Sequence, residues 1–286
     1  MSQACDSCPS RGGCSSKGSC SEDKYIKTNA NSDIKKVIVV ASGKGGVGKS
    51  YVTSMLAVGL AKQGLKVGIL DADITGPSIP KAFGLKDTLL ADADKNIFPS
   101  ETAGGIKVVS LNLLVDNEDT PVVWRAPVIT GLVKQFFSEV NWGELDVLLI
   151  DMPPGTGDVP LTVYQSIPVD GTVIVTTPQD LVSMIVSKAV NMANMMNIPI
   201  LGLVENMSYI KCPDCGKKID LFGNGEKMEQ KANSLGISIL DRLPLDPAMS
   251  KIVDEGDLHS ADSDIIINTC SSPTARRWSP AFTPCC

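Results

Sequence analysis

Val37-Ile38-Val39-Val40-Ala41-Ser42-Gly43-Lys44-Gly45-Gly46-Val47-Gly48-Lys49-Ser50 is the stretch that decides the fold. An apolar run enters a glycine-rich loop of the pattern G-x-x-x-x-G-K-[ST], and an amphipathic segment of helix length, residues 51–63, leaves it. Strand, loop and helix in that order are the context a phosphate-binding loop requires. The glycines let the backbone curl until successive N–H groups and the helix N-terminus face phosphate. On this basis Gly43, Lys44, Gly45, Gly46, Val47, Gly48, Lys49, Ser50 and Tyr51 contact ATP. Lys49 reaches the β- and γ-phosphates, and the Ser50 hydroxyl is a ligand for Mg2+. A glycine-rich turn with an incidental lysine is the bland alternative.

Apolar runs at residues 36–41, 67–70, 107–111, 146–150, 172–176, 199–204 and 238–243 predict strands. They are continuous rather than alternating, which suits strands buried on both faces. Helix-length amphipathic stretches lie between them at 127–140, 181–196 and 225–235. The alternation predicts an α/β fold, a mostly parallel central sheet with helices on both faces. A chain of 286 residues with 43% hydrophobic content can bury a sizeable core. Residues 34–258 are expected to form one domain, preceded by a Cys-rich extension at 1–33 and followed by an atypical, aperiodic tail at 259–286.

Two of the predicted strands end in acids. Residues 66–70 run into Asp71-Ala72-Asp73, and residues 147–150 into Asp151-Met152-Pro153-Pro154-Gly155-Thr156-Gly157-Asp158. Ligands bind at the carboxyl ends of strands in open α/β sheets. Asp151 is therefore expected to hold Mg2+ through water and Gly155 to sense the γ-phosphate, while Asp71 contacts the metal and Asp73 orients the attacking water. A helix-capping carboxylate is the alternative for either acid alone.

A net charge of −6, with no long block of Lys or Arg, argues against a nucleic-acid partner. The N-terminus lacks the apolar core of a secretory signal, and no apolar run approaches the roughly 20 residues that span a bilayer. A soluble, cytoplasmic protein without a membrane partner is the expectation. In a reducing compartment, closely spaced thiols among the nine cysteines point to metal or redox chemistry. Cys212-Pro213-Asp214-Cys215-Gly216 puts two thiolates in one tight turn, half of a four-thiolate site. A two-fold homodimer would complete it at the interface with either zinc or a [4Fe–4S] cluster. Cys5, Cys8, Cys14 and Cys20 could hold a second cluster, zinc or nothing. The lone His259 reads as solvated, the methionines of 184–196 as packing, and Trp124 and Arg125 as candidates to abut an interface.

Lys44 makes Lys-Gly-Gly-Val-Gly-Lys-Ser the deviant form of the Walker A motif, and the chain resembles the ATPases related to MinD and the nitrogenase iron protein. Within that class, Asp71-Ala72-Asp73-Ile74-Thr75-Gly76-Pro77-Ser78, the Asp151–Asp158 segment and Val204-Glu205-Asn206-Met207-Ser208 resemble the Mrp/ApbC-type iron–sulfur carriers over residues 36–256. The resemblance implies that Lys44 crosses a nucleotide-bridged homodimer to act on the partner's phosphates, beside Lys49, Asp73 and Asp151 as catalytic residues. It places Asn206 and Pro244-Leu245-Asp246-Pro247 near the adenine. It further implies a transferable [4Fe–4S] cluster bridging Cys212 and Cys215 of two subunits, delivered to apo-proteins under control of ATP. Cys5, Cys8 and Cys14 resemble the later part of a four-cysteine motif in the eukaryotic branch, whose leading cysteine is missing here. Tyr51 and the tail depart from the family pattern. The alternatives are a positioning ATPase of the MinD and ParA kind, and a reductase like the nitrogenase iron protein.

Overall fold

The computed structural model describes residues 25–73, 78–86, 90–91, 97–110, 126–179, 182–222 and 226–261. Its strands are β1 (Ser32–Ile34), β2 (Val37–Ser42), β3 (Val67–Asp71), β4 (Leu90–Ala91), β5 (Ile97–Phe98), β6 (Ser100–Glu101) and β7 (Lys107–Ser110) in the first half. The second half adds β8 (Gly143–Leu145), β9 (Val147–Asp151), β10 (Gly171–Thr176), β11 (Ile200–Lys211), β12 (Lys218–Asp220) and β13 (Ile239–Pro244). The helices are α1 (Lys49–Lys62), α2 (Ser78–Ala82), α3 (Ala126–Ser138), α4 (Asp158–Ser166), α5 (Val182–Met195), α6 (Glu226–Ser234) and α7 (Pro247–Glu255).

Nine strands form one sheet in the order β12-β11-β10-β2-β9-β3-β7-β6, with β13 also on β11. Every pairing is parallel except those of β12 and β6 at the two ends. Parallel strands need covered faces, and the alternation of side chains shows how both are covered. Ile38 and Val40 of β2 face a cluster shared with α1, α2 and α7, whereas Val37 and Val39 face one shared with α3 and α4. Ile174 and Leu203 face a third cluster, with Val186 of α5 and Met228 of α6. The expected α/β class is therefore the one observed.

Helix α1 and the extent of the packed unit differ from the sequence expectation. Helix α1 starts at Lys49 and is not amphipathic: residues 52–60 are all buried, because it lies between the sheet and α2 and the turn at Leu258–Ser260, in a cluster that Met249 of α7 also joins. Of the expected strand 107–111, residues 107–110 are observed as a strand, and residue 111 lies outside the described residues. The packed unit is wider than 34–258. On one side the Ile26 N–H donates to the Ser166 carbonyl at 2.8 Å. On the other, Ala261 is buried and its carbonyl accepts from Lys62 Nζ at 2.5 Å. Cys5, Cys8, Cys14, Cys20, Trp124, Arg125 and the remainder of the expected tail lie outside the described residues. Among the described residues no helix is long and apolar enough to cross a membrane.

Phe136 is 1% exposed in the cluster under α3, beside Trp142, whose Nε1 donates to the Phe136 carbonyl at 3.0 Å. Truncating Phe136 to Ala should cost about 3–5 kcal/mol, read as a lower urea midpoint at unchanged m-value.

Candidate functional site

The glycine-rich loop turns between β2 and α1 with Gly46 and Gly48 in the left-handed region, at φ 76° and 77°. Gly48 is required twice over. A Cβ there would be strained and would collide with the Asn206 side-chain amide. That amide is buried and donates to the Val47 carbonyl at 2.9 Å, so β11 braces the loop from behind. Lys44, Gly45 and Gly46 are exposed. The loop after β9 closes against the same site: the Gly155 N–H donates to the Ser42 carbonyl at 2.9 Å, with Gly155 at φ 90°.

The strand-end acids meet the loop at its floor. Asp71 and Asp151 are neighbours in the β3–β9 register, and both are fully buried. Asp151 Oδ2 accepts from Lys49 Nζ and from the Ser50 hydroxyl, each at 2.6 Å, and Oδ1 accepts from the Thr53 hydroxyl at 2.6 Å. Asp73 Oδ2 lies 3.5 Å from the same ammonium. Asp71 accepts from the Ser110 hydroxyl at 2.8 Å and from the Asp73 N–H at 3.1 Å. Burial, and then the Asp151 charge beside it, hold the Asp71 carboxyl well above the ordinary carboxylate range. The expected residues Lys49, Ser50, Asp71, Asp73 and Asp151 are thus brought together. Thr53, one turn into α1, escaped the sequence reading; an S-x-x-T spacing that faces the strand end was the available signal.

Beside the loop lies a cavity of about 280 Å3 whose lining includes Gly48, Tyr51, Asn206, Leu245, Asp246 and Met249. Asp246 caps α7, accepting from the Ala248 N–H at 2.9 Å, with Pro247 in the first turn. Burial, and then the Asp246 charge, push the Tyr51 phenol up to about 12.

The cysteine pair sits at the far end of β11. Cys212 and Cys215 are free thiols in the turn joining β11 to β12, Cys212 half-buried and Cys215 exposed. The turn is closed by the Gly216 N–H on the Cys212 carbonyl and the Cys212 N–H on the Lys217 carbonyl, both at 2.9 Å. The Cys212 thiol is held below its ordinary value by hydrogen bonds from the Cys215 and Asp214 N–H groups and from the Cys215 thiol. A thiolate is the form that binds metal. No group of three or more His, Cys, Asp and Glu side chains placed to hold a metal ion occurs among the described residues. Two free thiols are therefore what this turn presents among the described residues.

Two further features were not legible in the sequence. Arg242 donates to buried Glu205 at 2.9 Å and to Glu229 at 3.1 Å, tying β13 to β11 and α6. His259, expected to be solvated, is about one-third exposed and pairs with Asp257 at 3.1 Å.

A glycine-rich loop feeding a helix, a buried acid at the next strand's end and a second loop lysine define a P-loop NTPase of the deviant Walker A type. The chain belongs to the ParA group of P-loop proteins, in the family described as NUBPL iron-transfer P-loop NTPase, whose model matches residues 33–275. It is 48% identical over 264 residues to an iron-sulfur cluster carrier protein of Clostridium perfringens, covering 88% of this chain and 92% of that one. A carrier of the same description from Methanocaldococcus jannaschii is 49% identical over 255 residues, covering 88% and 87%. Among solved structures, the nucleotide-binding protein of Archaeoglobus fulgidus in complex with ADP superposes with a TM-score of 0.71 at 46% identity, covering 80% of this chain and 89% of that one. The cell-division ATPase MinD of Pyrococcus furiosus shares the fold, with a TM-score of 0.57 at 19% identity over 82% of this chain and 96% of that one.

The Tyr51 phenol is raised from 10.0 to about 12 on folding, so it contributes stability that is present below pH 10 and lost as pH rises towards 12. Alkaline difference spectra of wild type against Tyr51→Phe should show one phenolate appearing near pH 12. The variant should also lose part of the stability decline between pH 10 and 12.

Proposed function

We propose that the protein is an ATP-binding and ATP-hydrolysing iron–sulfur cluster carrier, in which two copies hold one [4Fe–4S] cluster and deliver it to apo-proteins. The observation that carries this is the two-thiolate turn at Cys212 and Cys215, joined by one strand to the residue that braces the phosphate loop. A thiolate-ligated [4Fe–4S] cluster takes four sulfurs, so two copies supply a full set. The cluster is cargo, and an exposed, two-ligand grip per subunit is suited to giving it up.

On the nucleotide side, the loop N–H groups of residues 43–50 and the N-terminus of α1 cradle the phosphates. The cavity lined by Tyr51, Asn206 and Leu245 takes the base. Lys49 is the phosphate-facing cation, and incoming phosphate competes with Asp151 and Asp73 for it. The Ser50 hydroxyl and the Asp151 carboxylate, 2.6 Å apart, are hard oxygens of the sort Mg2+ prefers, so the residues present fit that ion. When bound, it would offset charge on the phosphates. Asp71, held behind this pair by the Ser110 hydroxyl and the Asp73 N–H, would add a further oxygen to the metal shell. Asp73 orients a water for attack on the γ-phosphorus; the bond to the β-bridging oxygen breaks and ADP and phosphate leave. Lys44 is exposed on the loop, free to reach across to the partner's phosphates as an arginine finger does. Cys5, Cys8, Cys14 and Cys20 are candidates for a second, separate cluster.

Two measurements test this. Reconstituted anaerobically with iron and sulfide, wild type should gain about four more irons per pair of chains than Cys212→Ala/Cys215→Ala, as a four-thiolate cluster requires. Equal iron in both proteins, or zinc alone, contradicts it. Lys44→Ala should retain ADP binding while ATP turnover falls by about 10³-fold, the scale of losing a charge supplied in trans.

A further inference from the structure

The two carboxylate oxygens of Asp151 keep different company. Oδ2 accepts from the Lys49 ammonium and the Ser50 hydroxyl, the groups assigned above to phosphate and metal. Oδ1 accepts from a single group among the described residues, the Thr53 hydroxyl at 2.6 Å. The helix places that hydroxyl. Thr53 follows Lys49 by four positions in α1, so the two side chains lie one turn apart on one face, the face that meets β9. The Thr53 oxygen also stands 3.0 Å from the Lys49 carbonyl. A hydroxyl has one proton to donate, and the shorter bond, to the carboxylate, takes it. Thr53 has no exposed surface. It touches no ligand of the loop in this packing and can act on one only through Asp151.

Resting on the nucleotide and Mg2+ binding proposed above, we infer that Thr53 is a positioning residue for the metal: its hydroxyl holds the plane of the Asp151 carboxylate so that Oδ2 stays aimed at the Ser50 hydroxyl. The carboxylate torsion of an aspartate is broad and roughly two-fold, so it needs a partner to fix it. Lys49 is a poor one, because its ammonium is the group that incoming phosphate draws away. Ser50 shares Oδ2 and leaves Oδ1 unheld. Thr53, one turn inside the helix, is the partner that neither nucleotide nor metal displaces. Hydrogen-bond partners that orient a metal ligand typically set about 10–100-fold of metal affinity. The next residue supplies the contrast. Ser54 is equally buried, and among the described residues its hydroxyl has no hydrogen-bond partner. Two adjacent buried hydroxyls thus differ in whether they hold Asp151.

The test measures ADP binding by the full chain, first in EDTA and then across a Mg2+ titration, with melting temperature read alongside. Wild type is compared with Thr53→Val, Thr53→Ser, Thr53→Cys and Ser54→Ala. Valine keeps the shape without the hydroxyl, and serine restores a hydroxyl. Cysteine keeps the size with a weaker donor and serves if the valine protein does not fold. Wild type should bind ADP in EDTA and more tightly with Mg2+. Thr53→Val should match it in EDTA yet need about tenfold more Mg2+ for half of the added affinity. Thr53→Cys should fall between, Thr53→Ser should return most of the way, and Ser54→Ala should match wild type. Equal Mg2+ requirements in wild type, Thr53→Val and Thr53→Cys overturn the inference, as does a Ser54→Ala shift as large as that of Thr53→Val. So does a loss of ADP binding in EDTA as large as the loss in Mg2+, because Thr53 then holds the start of α1 and not the metal. A wild type whose ADP affinity ignores Mg2+ overturns the metal site itself, and one that binds no ADP overturns the nucleotide site.

Discussion

A carboxylate with no exposed surface at the centre of a parallel sheet has to be satisfied where it lies, and Asp151 is satisfied three times over. Lys49, Ser50 and Thr53 all approach it at 2.6 Å, and all three belong to the first turns of α1. One side chain at the end of β9 thereby fixes the start of the helix that the phosphate loop feeds. The loop in turn has no freedom behind it, because Asn206 fills the space any Cβ on Gly48 would need. Leaving such a buried charge unpaired typically costs about 3–5 kcal/mol, so the arrangement is strongly favoured over partial versions of itself. The same packing leaves Lys44 exposed, out of reach of this network.

Strand β11 is the member shared by the two halves of the site. At its middle, Asn206 touches the phosphate loop; one residue beyond its end stands Cys212. Between them the ladder to β13 shifts register from Glu205 to Tyr209, with Met207 at φ 55°. The irregular stretch is held on both sides, by Arg242 on Glu205 and by the Leu245 N–H on the Tyr209 carbonyl at 2.8 Å. Leu245 and Asp246 also line the cavity beside the loop. The cavity beside the phosphate loop and the cysteine turn are thus joined by a single strand and its neighbour.

The central sheet was legible in the sequence because strands buried on both faces must be continuously apolar, as in Val147–Asp151 and Gly171–Thr176. The phosphate loop was legible because only glycine tolerates its backbone, and the cysteine turn because its two thiols are three positions apart. What stayed hidden was set by contacts between distant residues. Thr53 and Asp151 are 98 positions apart, and Asn206 and Val47 are 159 apart; neither spacing leaves a local pattern. Helix α1 was expected to show a polar face and has almost none, since burial by α2, α7 and the turn at Leu258–Ser260 is a property of the assembled layers. The short β12, all of whose residues are exposed and of which only Ile219 is apolar, is too short to leave a strand pattern and owes its place to pairing with β11.

The most direct test is transfer itself. Loaded protein would be mixed anaerobically with an apo-enzyme that needs a [4Fe–4S] cluster, and the recovered activity followed with and without ATP. Wild type should restore activity, the Cys212→Ala/Cys215→Ala protein should restore none beyond free iron and sulfide, and nucleotide should change the rate. Recovery that is equal for both proteins, or a loaded wild type that cycles electrons while keeping its cluster, would contradict it.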